Sequence, residues 1–199
     1  MNPKTPLRCV FTEATILQTR ELEARGISRQ RLPALLRRKL LQKVGRGLYM
    51  APSDHRISAN HSLAEIAVRV PQGVICLLSA LRFHGLTTQM PHETWIAIEQ
   101  NARRPRIDFA PVRFAYFSGA AFAEGAEVHR IEGISVRIYC PEKTIADCFK
   151  FRNRIGLDIA IEALREARRK RICSIPKLER FAAVCRVANV MRPYMEAIL

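Results

Sequence analysis

The stretch "ISRQRLPALLRRKLLQKVGRGLYM" (27–50) restricts the fold more than any other part of the chain. Leu32, Leu35, Leu36 and Leu40 follow an i, i+3, i+4, i+8 stripe, the inward face of an α-helix. The opposite face carries Arg29, Gln30, Arg31, Arg37, Arg38 and Lys39. Upstream, residues near 12–25 read as one or two short helices, with Thr19 as N-cap, Glu21 in the first turn, and Leu17, Leu22 and Ile27 facing inward. Gly26 ends that helix, and Ser28 caps the next. Downstream, "LLQKV" and "GLYM" flank Gly45-Arg46-Gly47, a hairpin whose glycines permit positive φ. Helix, turn, helix and basic hairpin in that order predict a winged helix-turn-helix. Pro33 conflicts with a regular helix from Ser28, because it deletes a backbone bond to Arg29. Either the first turn is irregular or the helix starts later.

Charge follows the same division. The chain has 199 residues with 33 Lys+Arg and 18 Asp+Glu, a net charge of +15. Residues 1–50 hold 11 basic and 3 acidic side chains (+8), residues 51–140 hold 9 and 8 (+1), and residues 141–199 hold 13 and 7 (+6). A quarter of the chain therefore carries about half the excess. Such imbalance fits a polyanion partner, whose condensed counterions are released when its phosphates are neutralised. A membrane surface would instead require a wide apolar helix face or a lipid anchor. Neither is evident, nor is a secretory h-region or an apolar run near the ~20 residues that span a bilayer. The expectation is a cytoplasmic protein.

Composition changes after "APSD" (51–54), so the expected division is a DNA-binding domain over 1–52 and an α+β domain over 57–199. In the latter, "HSLAEIAVRV" and "VICLLSALRFHGL" read as helices around a turn at Pro71-Gln72-Gly73. "TWIAIEQ", "VRFAYFS", "EVHRI" and "ISVRIY" read as strands, the last two joined by a hairpin at Glu132-Gly133. From Pro141 the pattern is helical to the end. A small sheet between helical layers is the predicted architecture. Cys9, Cys76, Cys140, Cys148, Cys173 and Cys185 form no CxxC pair and are expected to be reduced, core-packed thiols.

Motifs for catalysis are sparse. The chain has no Gly-rich phosphate loop, GxSxG elbow or HExxH, and its five histidines are scattered. His84 closes a predicted helix, where its ring can bond terminal carbonyls. A metal-dependent nuclease is the enzymatic rival, with Glu99 and Asp108 as half a site. No Asp/Glu-x-Lys triplet accompanies them, and Glu142 at a helix start is simply favourable to the dipole. Neither a cofactor nor a metal is expected. The basic helix offers more. Arg29, Gln30 and Arg31 sit at the end that meets base edges in this motif, where Arg bonds guanine and Gln bonds adenine bidentately. Arg37, Arg38, Lys39, Lys43 and Arg46 suit phosphates.

"GRGLYMAP", "GVICLLSALRFHGLTTQMP", "TWIAI", "YCPEKTIADCFKFRNRIGLDIAIEALREA" and "VMRPYMEAIL" together resemble the AbiEi family, antitoxins and transcriptional regulators of type IV toxin–antitoxin, abortive-infection systems. The likeness runs from about Thr19 onward, with Pro33 a departure. It implies a bacterial protein whose winged helix represses its own operon at inverted repeats in promoter DNA, which two copies would match. It also implies a C-terminal domain that counteracts a co-encoded nucleotidyltransferase-like toxin without requiring a stable complex. Arg103, Arg104, Arg106, Arg152 and Arg154, in the loops "QNARRPRI" and "FKFRNRIGLD", are the candidates for that activity, presented to an acidic or nucleotide-bearing partner. The competing role for Arg152 and Arg154 is pairing with carboxylates on neighbouring helices. A solitary regulator without a toxin is the alternative for the chain as a whole.

Overall fold

The computed structural model describes residues 10–11, 16–45, 47–51, 59–107 and 110–198. Cys9, Arg46, His55 and Asp108, and parts of both expected domains, lie outside the described residues. The chain is mixed α/β, with two small sheets and a C-terminal run of helices. It divides into two compact units, 1–69 with 130–136, and 70–129 with 137–199.

In the first unit, strand β1 (Ile16–Gln18) leads directly into helix α1 (Thr19–Ala24). The expected helical start is therefore strand, and the cap is Gln18 rather than Thr19. Glu21 explains the shift: its Oε2 accepts the Gln18 backbone N–H at 2.6 Å, half of a capping box. Gly26, at φ +87°, closes α1 in a Schellman turn, with Ile27 N–H reaching Leu22 O at 2.8 Å and Gly26 N–H reaching Glu23 O at 3.0 Å. Both flanking apolar residues, Leu22 and Ile27, are buried. Ser28 precedes a 3-10 turn over Arg29–Arg31, and helix α2 spans Leu32–Arg37. Pro33 accounts for this arrangement. A proline fits the first turn of a helix, where its missing N–H is an orphan anyway, so the α-helix begins just before it.

Helix α2 ends early, with Lys39 at φ +55° and a second Schellman pair, Leu40 N–H to Leu35 O and Lys39 N–H to Leu36 O. The chain reverses there. Leu40, expected inward, is 44% exposed, and Leu41 takes its place in the core at 2%. Strands β2 (Gln42–Gly45) and β3 (Leu48–Met50) then form the hairpin, with a bulge between Lys43 and Gly45. The sheet is antiparallel in the order β1-β3-β2. Its core comprises Leu17, Leu22, Ile27, Leu32, Leu35, Leu41 and Tyr49 with Val10 and Phe11. Helix α3 (His61–Arg69) also belongs to this unit.

The larger sheet has the order β6-β5-β4-β8-β7. Its strands are β4 (Val74–Ile75), β5 (Thr94–Glu99), β6 (Val112–Phe117), β7 (Ala126–Ile131) and β8 (Ile134–Tyr139). β5 and β6 run parallel, in register from Thr94–Val112 to Glu99–Phe117. Glu132 and Gly133, both at positive φ, make the expected two-residue turn between β7 and β8. Val74 and Ile75, expected in a helix, pair with β5 and β8 instead, and helix α4 is confined to Leu77–Phe83.

Helices α5 (Ala120–Ala123), α6 (Pro141–Lys150), α7 (Arg152–Ile155), α8 (Leu157–Lys170), α9 (Ile175–Val184) and α10 (Ala188–Ile198) complete the second unit. Every residue of α6 from Glu142 to Phe149 is buried. A helix apolar or neutralised all round occupies the centre of a unit, and α6 packs against α4, α8 and α9. Cys148 on α6, Cys140 at its cap, and Cys76 and Cys185 are buried free thiols, and Cys173 is half-buried.

Candidate nucleic-acid interface and buried ion pair

The 3-10 turn, α2 and β2 present one set of side chains to solvent. Arg29, Gln30, Arg31, Arg37, Arg38, Lys39 and Lys43 are all exposed. The folding reason is local. Leu32 and Leu35 anchor the inner side, so the polar and cationic side chains that flank them, Arg29 to Arg31 and Arg37 to Lys39, turn outward. The positive φ of Lys39 turns the chain between helix and hairpin. Of these seven, Arg29 alone makes an ion pair with a described residue, its Nε lying 3.0 Å from Glu23 Oε1.

The second set of sequence candidates occupies two places. Arg103, Arg104 and Arg106 are exposed in the loop between β5 and β6. The Arg104 guanidinium lies 5.2 Å from the centre of the Phe114 ring, and Arg104, Arg106, Ile107 and Phe114 border an open groove of about 530 Å³. Arg152 and Arg154 belong to α7. Arg152 donates to Phe149 O at 3.0 Å, and Arg154 sits 5.7 Å over the Phe151 ring. Neither pairs with a carboxylate of a described residue, so the competing ion-pair role is corrected to carbonyl and ring contacts. No hydrogen bond or ion pair among the described residues joins the two groups of arginines. Glu99 is exposed at the end of β5, and no group of three His, Cys, Asp or Glu suited to a metal occurs among the described residues. No helix among them is long and apolar enough to cross a membrane.

His84 also differs from expectation. Its Nε2 lies 2.7 Å from the Tyr139 carbonyl on β8, not from a carbonyl of its own helix. That oxygen can only accept, so Nε2 carries the proton. Burial lowers the His84 pKa below its usual value, opposed by the bond to Tyr139. Glu142 likewise does more than face a dipole: it is buried, and its Oε1 accepts the Ser174 N–H at 3.0 Å, at the start of α9.

Sequence reasoning missed the most deeply buried charges. Lys143 and Asp147, one helical turn apart on α6, have side chains 0% and 1% exposed. Lys143 Nζ donates to Asp147 Oδ1 at 2.6 Å and Oδ2 at 2.5 Å, and Cys185 Sγ donates to Oδ1 at 3.2 Å. The ammonium also lies 4.2 Å and 4.8 Å from the centres of the Tyr139 and Phe117 rings. Gly125 makes room: at φ +80°, it would place a Cβ only 2.8 Å from Lys143 Cβ. Burial pushes the Asp147 carboxyl up to about 6 despite the opposing pull of Lys143. The i, i+4 spacing of Lys143 and Asp147 was visible, yet on most helices it marks a solvated pair. The discriminating signal was the run Thr144-Ile145-Ala146 and Cys148-Phe149, which leaves no polar face for the charges to occupy.

No protein-family model and no curated protein matches the chain. Among solved structures, the crystal structure of the RV2827C protein from Mycobacterium tuberculosis is similar over 87% of this chain and 68% of that one, with a TM-score of 0.55 and 16% identity. At that identity the likeness is one of fold: mixed α/β, small sheets and C-terminal helices.

Proposed function

We propose that this chain is a DNA-binding autorepressor and the antitoxin of a type IV toxin–antitoxin system, acting in the cytoplasm. One observation carries the DNA-binding half. Seven polar or cationic side chains, Arg29 to Lys43, are exposed on a turn, helix and hairpin that follow one another in the order of a winged helix-turn-helix. The pairing of β1 with the hairpin supports the same reading. In it, Arg29, Gln30 and Arg31 meet base edges while Arg37, Arg38, Lys39 and Lys43 hold phosphates. The antitoxin half is supported by the resemblance to AbiEi proteins and by the exposed arginines of the β5–β6 loop.

Binding of the full chain to its own promoter duplex, titrated against salt, tests the first half. About six engaged cations give a slope of log K on log salt of roughly −5. A slope near zero, or no binding to any duplex, overturns it. Co-expression with the neighbouring toxin tests the second half. Growth rescued by the full chain but not by a folded Arg103→Ala, Arg104→Ala, Arg106→Ala variant supports it; rescue unaffected by these changes removes the loop from the mechanism.

A further inference from the structure

β6 stands at one end of the larger sheet, so one of its sides has no strand beside it among the described residues. Its register with β5 is unbroken from Thr94–Val112 to Glu99–Phe117, a run of six residues, about 20 Å long. The flanking bonds show which of its backbone groups are unused. Pro111 O accepts the Thr94 N–H at 2.9 Å, and Phe117 O accepts the Gln100 N–H at 2.8 Å. In a parallel ladder alternate residues turn both N–H and C=O to the same neighbour, so Arg113 and Ala115 also serve β5. The N–H and C=O groups of Val112, Phe114 and Tyr116 therefore point away from the sheet. An open edge is normally blunted by a charge, a proline or a bulge. Here the register has no bulge, and the strand's only charged residue, Arg113, lies back toward β5. Its guanidinium is 5.0 Å from the centre of the Trp95 ring, and its Nε is 2.7 Å from Glu93 Oε2.

The surroundings of this edge are cationic at both ends. At the start of β6, the exposed Arg104 and Arg106 border the groove of about 530 Å³ together with Val112 and Phe114. Past its end, a second open space of about 400 Å³ is bordered by Tyr116 and Ser118 with the exposed Lys150 and Arg186. Glu99 is the only carboxylate among the described residues of β5, β6 and the loop between them, against Arg103, Arg104, Arg106 and Arg113.

We propose that β6 takes up an extended, acidic segment of a partner protein as an added strand. The main chain of that segment bonds to Val112, Phe114 and Tyr116, which gives affinity without reading sequence. Its carboxylates meet Arg104 and Arg106 at one end and Lys150 and Arg186 at the other, which selects for acidic segments. A nucleic-acid strand matches the cations but not the edge: phosphates only accept, so the three outward carbonyls would be left without donors. A second copy of β6 matches the edge but not the charge, since it brings the same cations with it. The inference shares Arg104 and Arg106 with the antitoxin reading and does not otherwise rest on it.

Fluorescence anisotropy on the full chain tests this with a labelled peptide of alternating Glu and Val, and with its Lys-Val counterpart. The acidic peptide is expected to bind at least tenfold more tightly than the basic one. N-methylation of two adjacent central residues removes a donor from each edge of the peptide without changing its charge, and weakens binding about tenfold. Tyr116→Pro deletes one outward N–H at an edge position that tolerates proline. It weakens binding more than Tyr116→Ala, which keeps the donor. Arg104→Gln with Arg106→Gln, and Lys150→Gln with Arg186→Gln, each weaken it about fivefold. A protein of this charge attracts anions generally, so Arg165→Gln with Arg168→Gln, at exposed positions of α8, is the control and leaves affinity unchanged. The proposal is overturned if the N-methylated peptide binds as well as its parent, or if the control weakens binding as much as the Arg104, Arg106 variant. It is also overturned if oligothymidylate displaces the peptide at equal concentration, if the chain is a dimer that Tyr116→Pro dissociates, or if no peptide binds at millimolar concentration. Peptide binding alongside toxin rescue that ignores the arginine changes sets aside the antitoxin reading alone. Rescue lost with those arginines, without peptide binding, sets aside this inference alone.

Discussion

Arg29–Glu23 in the first unit and Lys143–Asp147 in the second are both direct cation–carboxylate contacts, at 3.0 Å and 2.5 Å. Their surroundings reverse their meaning. The Arg29 side chain is 71% exposed, so water competes for both charges and the pair can be exchanged for another partner at little cost. Lys143 and Asp147 have no such access, and each ion has already lost its hydration. Exposed charge in this molecule is available to a partner, whereas buried charge is committed to the fold. The comparison predicts opposite responses to the same kind of substitution.

The largest effect belongs to the buried pair. Lys143→Met alone leaves a carboxylate without its cation inside α6, and Asp147→Leu alone leaves the ammonium. Each single change is expected to cost about 3–5 kcal/mol, while the double variant, which removes both desolvation penalties, lies near wild type or above it. Denaturant unfolding of the three proteins measures this. Additive single costs would show that the two charges are not a unit.

Next come the cations of the turn and helix. Gln30→Ala or Arg31→Ala is expected to remove about 1–3 kcal/mol of preference for the operator over other duplexes, while Lys43→Ala weakens all duplexes alike. Competition binding with operator and scrambled DNA distinguishes them. If both groups lose affinity equally for both duplexes, Gln30 and Arg31 hold phosphates and the base-reading end lies elsewhere.

How far each half of the comparison could be read in the sequence follows from the same physics. The inward placement of Leu32 and Leu35, the Glu132-Gly133 turn and the exposure of Arg29 to Arg31, Arg37 to Lys39 and Lys43 depend on local spacing, and the structure agrees with them. Elements that depend on pairing at a distance did not show. Ile16–Gln18 and Val74–Ile75 are strands only because β3, β5 and β8 offer partners, and so short a run carries no period of its own. Leu40 was misplaced because a stripe cannot reveal that Lys39 adopts a left-handed conformation. Lys143 and Asp147 were missed because Lys and Asp are so seldom buried that the prior outweighs their neighbours.

Protonation gives a smaller separation within the second unit. His84 is held neutral by burial, so its folded pKa lies below the unfolded value of 6.5. Its contribution is present above that value and is lost as pH falls below it, by up to about 1.4 kcal/mol per pH unit. Asp147 has the opposite sign. Its carboxyl, raised from 3.8 to about 6, holds a proton that the unfolded chain has released, so its contribution falls as pH rises from 4 to 6. His84→Gln, which retains an N–H for Tyr139, should flatten the loss of stability below pH 6.5. The Lys143→Met, Asp147→Leu protein should flatten the fall between pH 4 and 6. Unchanged pH profiles would mean that neither group titrates within the fold.

The smallest expected change is at Arg29, and it tests the exposed half of the comparison most directly. Glu23→Gln removes the partner charge without changing side-chain size, and an exposed pair contributes only about 0.2–1 kcal/mol, so folding stability should hardly move. DNA binding should respond, because every encounter with the duplex must break the contact between Arg29 and Glu23 or carry it along. Should Arg29 leave Glu23 on binding, the variant gains affinity of about twofold to fivefold, equivalent to the ~0.5–1 kcal/mol no longer lost, at an unchanged salt slope. Should Arg29 stay with Glu23 in the complex, freeing it adds one cation to the contact with the duplex and the slope steepens by up to about 0.9. A drop in affinity gives the third result: Glu23 then aligns the guanidinium toward DNA, and the exposed pair is committed as firmly as the buried one. The contrast between the two units stands on the first two results and fails on the third.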